Sequence, residues 1–316
     1  MKIEKIDNIT IGDCYPVTLT KTGNIYCMRF MAANVNSHIK KLDKDNYLDL
    51  FTGEVREYNH QKLTRAENIE STRKTFKRLR NLINTNVTNP NRCLFITLTY
   101  KENMKDIKRL YDDFRKFNMR FTTYCKRKKF PTYEYISIIE PQGRGAWHCH
   151  VIYIFSKKAP FIPNADVAAV WKNGFTSTRA IKGNVDNVGA YLTAYLTDMP
   201  IEDLTDLSLL NGVCSDDIKT IEIIDEKGNK SNKSYIKGLR LKMYPKGSNI
   251  YRHSKGIIQP QIIECSKAEA MKIIGSATKT FEKTIQLTDA AGEILNKINY
   301  QYFNKAKIRV DNQREV

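Results

Sequence analysis

Two periodicities alternate between residues 90 and 200. Leu94-Phe-Ile-Thr-Leu-Thr-Tyr100 sets apolar side chains at every second position, the period of a strand. Ile107, Leu110, Tyr111, Phe114, Phe117, Phe121 and Tyr124 then recur at spacings of three and four, the stripe of an amphipathic helix. Pro131 interrupts the pattern, and Tyr133 to Glu140 predicts a second strand. Pro141-Gln-Gly-Arg-Gly turns the chain into a third strand that ends in Val151-Ile-Tyr-Ile-Phe155. A short helix from Asn164 carries Val167, Val170 and Trp171, Asn173-Gly174 punctuates it, and Phe175 to Ile181 predicts a fourth strand. The order β-α-β-β-α-β predicts an α+β fold, an antiparallel sheet with helices packed on it. One further helix spans Asp186 to Asp198 and is ended by Pro200, with Tyr191 and Tyr195 at i and i+4 on one face.

The flanks read differently. Residues 1 to 60 predict a β-rich extension, with a hairpin formed by Val17-Thr-Leu-Thr, the turn Lys21-Thr-Gly-Asn and Ile25-Tyr-Cys-Met-Arg-Phe. His38 and His60 there are isolated and read as ordinary surface histidines. Ile69, Thr72, Phe76, Leu79 and Ile83 predict a basic helix over 64–84 whose outer face carries Arg73, Lys74, Lys77, Arg78 and Arg80. Beyond Pro200, Asp203 to Asp217 looks irregular, Asp225-Glu-Lys-Gly-Asn is a turn, Tyr235 to Tyr244 predicts a strand and Ser266 to about Ile298 a helix. The expected division is therefore 1–60, 61–200 and an α+β accessory region over 201–316.

Charge narrows the partner. The 316 residues carry a net charge of +18, and 41% are hydrophobic, enough for a core. Residues 71 to 130 hold 17 Lys/Arg against four Asp/Glu, so +13 of the excess lies in one segment. Solvated helix faces explain any one of these lysines, whereas a phosphate-tracking surface explains the whole segment. The chain has no run of 18 apolar residues, so no membrane partner is expected, and Met1-Lys-Ile-Glu-Lys-Ile-Asp lacks the apolar segment of a signal peptide. Seven scattered cysteines without CxxC spacing point to a reducing cytoplasm rather than a disulfide framework or structural zinc.

The candidate chemistry lies in Glu140-Pro-Gln-Gly-Arg-Gly-Ala-Trp-His148-Cys149-His150. Side chains two apart on a strand share a face, so His148 and His150 point one way and Cys149 the other, into the core. With Glu140 across the turn they make a three-ligand site with open positions, of the kind that binds a divalent ion. Imidazole and carboxylate together suit Mn²⁺ better than Mg²⁺, although Mg²⁺ can serve. Thr97 and Thr99 share one sheet face, either as strand formers or as groups facing a nucleic acid near the metal. Arg144 sits between two glycines, in a turn that is either a plain hairpin connection or a phosphate contact. Lys126, Arg127 and Lys128 close the long helix and are candidates for holding DNA backbone. Tyr100, Tyr133 and Tyr135 can stack on unpaired bases or pack in the core.

These residues resemble the motifs of the HUH endonucleases, specifically the rolling-circle replication initiators of plasmids, integrated elements and small single-stranded DNA phages. Phe95-Ile-Thr-Leu-Thr-Tyr100 matches the first motif, Trp147-His148-Cys149-His150 the second, and Tyr191-Leu-Thr-Ala-Tyr195 resembles the third. Tyrosines downstream of the histidines are similar to initiators rather than to relaxases. The resemblance covers roughly residues 70 to 200 and implies an RRM-like or ferredoxin-like HUH core. It implies Tyr191 and Tyr195 as nucleophiles, and His148, His150 and Glu140 as ligands for Mn²⁺ or Mg²⁺. It further implies single-stranded DNA at a replication origin, a hairpin, as substrate, with host helicase and polymerase as partners. The family's third motif often has a lysine three residues after a tyrosine. Ala194 and Asp198 stand there instead, which leaves Lys182 as the substitute charge partner. The alternatives are a relaxase or transposase of the same chemistry, and a non-catalytic RRM-like nucleic-acid-binding protein.

Overall fold

In a computed structural model of the protein the residues described are 2–33, 39–49, 54–57, 69–181, 187–224, 230–245, 247–289 and 292–306. Chain order begins with β1 (Lys2–Ile6), β2 (Pro16–Thr22) and β3 (Ile25–Met31), then the short strands β4 (Ile39–Lys41), β5 (Asn46–Asp49) and β6 (Val55–Glu57). The turn between β2 and β3 has Gly23 at φ +59°, in the left-handed region that favours glycine. Then come α1 (Ile69–Asn86), β7 (Cys93–Tyr100), α2 (Ile107–Arg127), β8 (Tyr133–Pro141), β9 (Trp147–Phe155), α3 (Asn164–Trp171), β10 (Gly174–Ala180) and α4 (Val188–Thr197). The chain continues with β11 (Met199–Pro200), β12 (Ile218–Ile224), β13 (Lys230–Ile236), β14 (Tyr251–His253), β15 (Gln261–Ser266), α5 (Lys267–Ile274), β16 (Thr278–Thr288) and β17 (Ile294–Asn304). The protein is thus α+β, with antiparallel sheets.

Contacts divide the chain into two compact units, residues 62–258 and residues 1–61 with 259–316. The second of these pairs the chain's two ends in one sheet of order β1-β16-β17-β3-β2-β15. Residues 201–316, expected as one accessory region, are shared between the two units because β14 pairs with β8 while β15 pairs with β2. The helix expected over Ser266 to Ile298 is corrected. Ser266 and Glu269 form a capping box that starts α5, and Gly275 at φ +62° ends it after Ile274. The Thr- and aromatic-rich residues beyond pair as β16 and β17, and β17 in turn pairs with β3. The strand expected over Tyr235–Tyr244 is also corrected. β13 ends at Ile236, Gly238 turns the chain at φ +67°, and Leu239–Met243 winds into a 3₁₀ turn. The turn expected at Asp225 and the isolated His38 and His60 lie outside the described residues.

In the central unit the sheet order is β10-β7-β9-β8-β14, and each neighbouring pair is antiparallel. The α2 stripe explains one face. Leu110, Phe117 and Phe121 are fully buried in one cluster with Ile96, Leu98, Val151 and Tyr153. Phe121 meets Tyr153 at a centroid distance of 4.6 Å, and Trp171 of α3 meets Tyr100 at 5.1 Å and Phe117 at 5.8 Å. Burying a side chain of this size stabilises by about 1.5–3 kcal/mol relative to exposure. Tyr100, Tyr133 and Tyr135 belong to this side, packed among Trp171, Phe121, Phe114 and Tyr153, so they are core residues rather than a base-stacking platform. By the strand's period of two, the opposite face of the sheet holds Thr97, Thr99, His148, His150 and Glu140.

Candidate metal centre

Register brings the three candidate ligands together. His148 lies opposite Glu140 on β8 and Thr99 on β7, and His150 lies opposite Ile138 and Thr97. Residues facing one another across antiparallel strands project from one face, so the acid and both imidazoles converge. The β8–β9 connection is tight, with Gln142 N donating to Ala146 O at 2.7 Å and Gly145 N to Gln142 O at 2.8 Å. Gly145 has φ +81°, and a Cβ on Gly143 would fall 1.5 Å from the carbonyl oxygen of Asp203. The Gly-Arg-Gly turn is therefore a hairpin connection by geometry, and Arg144 at its tip is exposed. One ligand atom from each of Glu140, His148 and His150 lies within 4.8 Å of the others. Glu140 and His150 are buried and His148 is half-buried. Cys149 points away into the core, 1% exposed.

His150 is held from three sides. Phe95 stacks on its ring at 5.4 Å, Thr97 Oγ1 lies 3.1 Å from Nδ1, and Nε2 meets Glu140 Oε2. A hydroxyl both donates and accepts, so Thr97 satisfies Nδ1 in either tautomer. When Nε2 donates to a carboxylate, Thr97 donates to Nδ1; when Nε2 ligates a cation, Nδ1–H donates to Thr97. Burial pushes the His150 imidazole down to about 4. Burial, then His150 and then Arg144, push His148 down to about 3. Both rings are therefore neutral near pH 7, the form that ligates a metal. His148 Nε2 is buried and has no hydrogen-bond partner among the described residues, a polar atom that a bound cation would satisfy. The donor set and this orphaned nitrogen fit a divalent cation.

Sequence reading missed Arg240. It is 5% exposed and projects from the 3₁₀ turn to form an ion pair with Glu140 Oε1. Its Nε donates to Asp198 O at 2.9 Å, and Nη2 lies 3.8 Å from Asp203 Oδ2. Tyr244, also buried, donates to Ile139 O at 2.8 Å and fixes the following residues against β8. A lone arginine a hundred residues from its partner gives no local signal.

Tyr191 and Tyr195 lie on α4, but their side chains fall outside the described residues, as does Lys182 altogether. The helix backbone is clamped at both ends. At the start, Asn84 of α1 accepts from Gly189 N at 2.8 Å, and Asn187 accepts from Ala190 N at 2.9 Å. A Cβ on Gly189 would fall 2.5 Å from Arg80 O, so glycine allows the close helix approach. At the end, Asp198 Oδ1 accepts from Gly238 N at 3.1 Å, beside the Arg240 bond to the Asp198 carbonyl. Lys74, Lys77 and Arg78 are exposed on α1, which packs on α4; the Arg73 side chain is not described. Lys126, Arg127 and Lys128 are exposed at the end of α2, the helix that covers the sheet face opposite the histidines.

Residues 93–200 match the family model of the replication-associated protein ORF2. The match is consistent with a rolling-circle replication initiator. It runs from the first residue of β7 to Pro200, about a third of the chain, and includes the three candidate ligands and α4. Arg240 lies outside it. No curated protein matches the chain. Among the described residues, no helix is long and apolar enough to cross a membrane.

Proposed function

We propose that the protein is a metal-dependent, site-specific nickase and ligase of single-stranded DNA that starts rolling-circle replication from an HUH-type core. The observation that carries this reading is the convergence of Glu140, His148 and His150 on one sheet face within the family-matched stretch. A divalent ion, Mn²⁺ or Mg²⁺, would polarise the scissile phosphate and offset its charge. The chain's own residues do the rest. The phenol oxygen of Tyr191 or Tyr195 attacks phosphorus and loses its proton to solvent; the P–O3′ bond breaks, and the departing 3′ oxygen takes up a proton. The products are a 5′-phosphotyrosine and a free 3′-OH that primes synthesis. A phenol with a pKa of about 10 needs a nearby cation to favour the phenolate, and Lys182 is the candidate. The second tyrosine serves the closing cleavage while the first is occupied.

The substrate is an exposed strand at an origin, presented as a hairpin loop. Thr99 and Arg144 on the histidine side, Lys74, Lys77 and Arg78 of α1, and the Lys126–Lys128 cluster hold backbone phosphates. Host helicase and polymerase extend the 3′ end in the cytoplasm. The binding-only alternative finds little support, because the aromatics that would stack bases pack instead under α2.

The test is a denaturing gel with full-length protein, Mn²⁺ and labelled single strands tiled across the DNA that encodes it. A covalent adduct that needs Mn²⁺ and disappears in His148→Ala and in the Tyr191→Phe/Tyr195→Phe double variant supports the reading. Tight binding without adduct on every tile, on supercoiled as well as single-stranded DNA, refutes it.

A further inference from the structure

We infer that Arg240 is a positioning residue of the metal centre, supplied from outside the family-matched stretch: it holds Glu140 to one ligating oxygen and ties the end of the tyrosine helix to that same carboxylate. The inference rests on the metal-dependent reading above. Glu140 is 2% exposed, and both of its oxygens are engaged by different partners. Oε1 pairs with the Arg240 guanidinium, and Oε2 faces His150 Nε2. A carboxylate that chelates a cation through both oxygens must turn both toward it. Arg240 withholds Oε1, so the acid ligates through Oε2 alone and more positions stay open for phosphate oxygens and water.

The same guanidinium donates through Nε to the Asp198 carbonyl, one residue beyond α4. Guanidinium is a rigid planar fork, so the two bonds fix the distance between the end of α4 and the ligating acid. Lysine carries the charge but lacks the fork. Arg240 is also the buried counter-ion of Glu140. Removing it leaves a buried carboxylate unpaired until another cation arrives, a costly state in a site this dry.

The test uses full-length protein treated with EDTA and then titrated with Mn²⁺, read by thermal unfolding, by the electron paramagnetic resonance of free Mn²⁺, and by single-turnover adduct formation. In Arg240→Met, the Mn²⁺-induced rise in Tm should exceed that of wild type by several degrees and Mn²⁺ should bind more tightly. Adduct formation at saturating Mn²⁺ should nevertheless fall by about tenfold or more, the usual scale for loss of a residue that orients a ligand. Tighter metal with poorer chemistry is a signature that a merely structural arginine does not give. Equal Mn²⁺-induced shifts in wild type and variant would overturn the inference. Arg240→Lys, which keeps the charge and folds more readily, should show a wild-type Mn²⁺ shift with slow adduct formation; full wild-type rates in this variant would also overturn it. If wild type itself shows no Mn²⁺ shift and no binding, the metal-dependent reading fails and this inference with it.

Discussion

Thr97→Val separates two roles for one hydroxyl. Thr97 is half-buried on β7, and its Oγ1 lies 3.1 Å from His150 Nδ1 on the neighbouring strand. Valine keeps the branched shape and the strand preference but offers Nδ1 nothing. A buried hydrogen bond contributes a net of about 1 kcal/mol, and leaving its partner unsatisfied costs about 1–3 kcal/mol. His150 is 1% exposed, so water does not replace the hydroxyl, and the upper half of that range applies. A partner that orients a ligating histidine is worth about 10–100-fold in metal affinity, or about 1.4–2.7 kcal/mol. The expected outcome is a folded variant, about 2 kcal/mol less stable in urea, whose Mn²⁺ affinity has dropped at least about tenfold. Thr97→Ser, which restores the hydroxyl, should recover most of both. Mn²⁺ titration by paramagnetic resonance and urea unfolding followed by circular dichroism read the two quantities. An unchanged Mn²⁺ affinity in Thr97→Val would refute the reasoning. If affinity for single-stranded DNA fell instead, Thr97 would be a DNA-facing group.

Three further outcomes follow from the structure. Gly189→Ala places a methyl 2.5 Å from Arg80 O and 2.7 Å from Asn84 Oδ1; it should cost about 1–3 kcal/mol in urea unfolding and pry α4 from α1, and unchanged stability would mean that the helices separate freely. Replacing Lys126, Arg127 and Lys128 by alanine should lower the slope of log affinity against log salt by up to about 2 on single strands, at about 0.7 per phosphate contact; an unchanged slope makes the cluster a solvated helix end. Burial pushes the Cys93 and Cys125 thiols from 9.0 up to about 12, and Tyr133 from 10.0 up to about 12. The unfolded chain gives up these protons at lower pH than the folded one, so their contribution to stability is complete below about pH 9 and is lost as pH rises toward 12. Denaturant unfolding between pH 8 and 11 should show that decline; at pH 8 a thiol reagent should reach Cys14 and Cys214 while sparing Cys93 and Cys125 until the protein unfolds.

Local pattern determined the parts of this protein whose partners lie close in sequence. The period of two put His148 and His150 on one face and Cys149 on the other, and the Gly-rich turn set Glu140 beside them, because a tight hairpin leaves few registers. The α2 stripe announced its own buried face. Tertiary structure decided what depended on distant segments. The C-terminal strands became strands because β16 and β17 found each other and β3, though Gly275 and the Thr-rich run of β16 were signals of it in the sequence. Tyr100, Tyr133 and Tyr135 were ambiguous until α2 covered them. Arg240 had no signal at all: its role exists only because Gly238 turns the chain and the 3₁₀ turn carries a buried guanidinium to an acid a hundred residues earlier. A carboxylate in a dry site must find a cation, but sequence spacing does not say from where, since pairing energy depends on distance in space and not on separation along the chain.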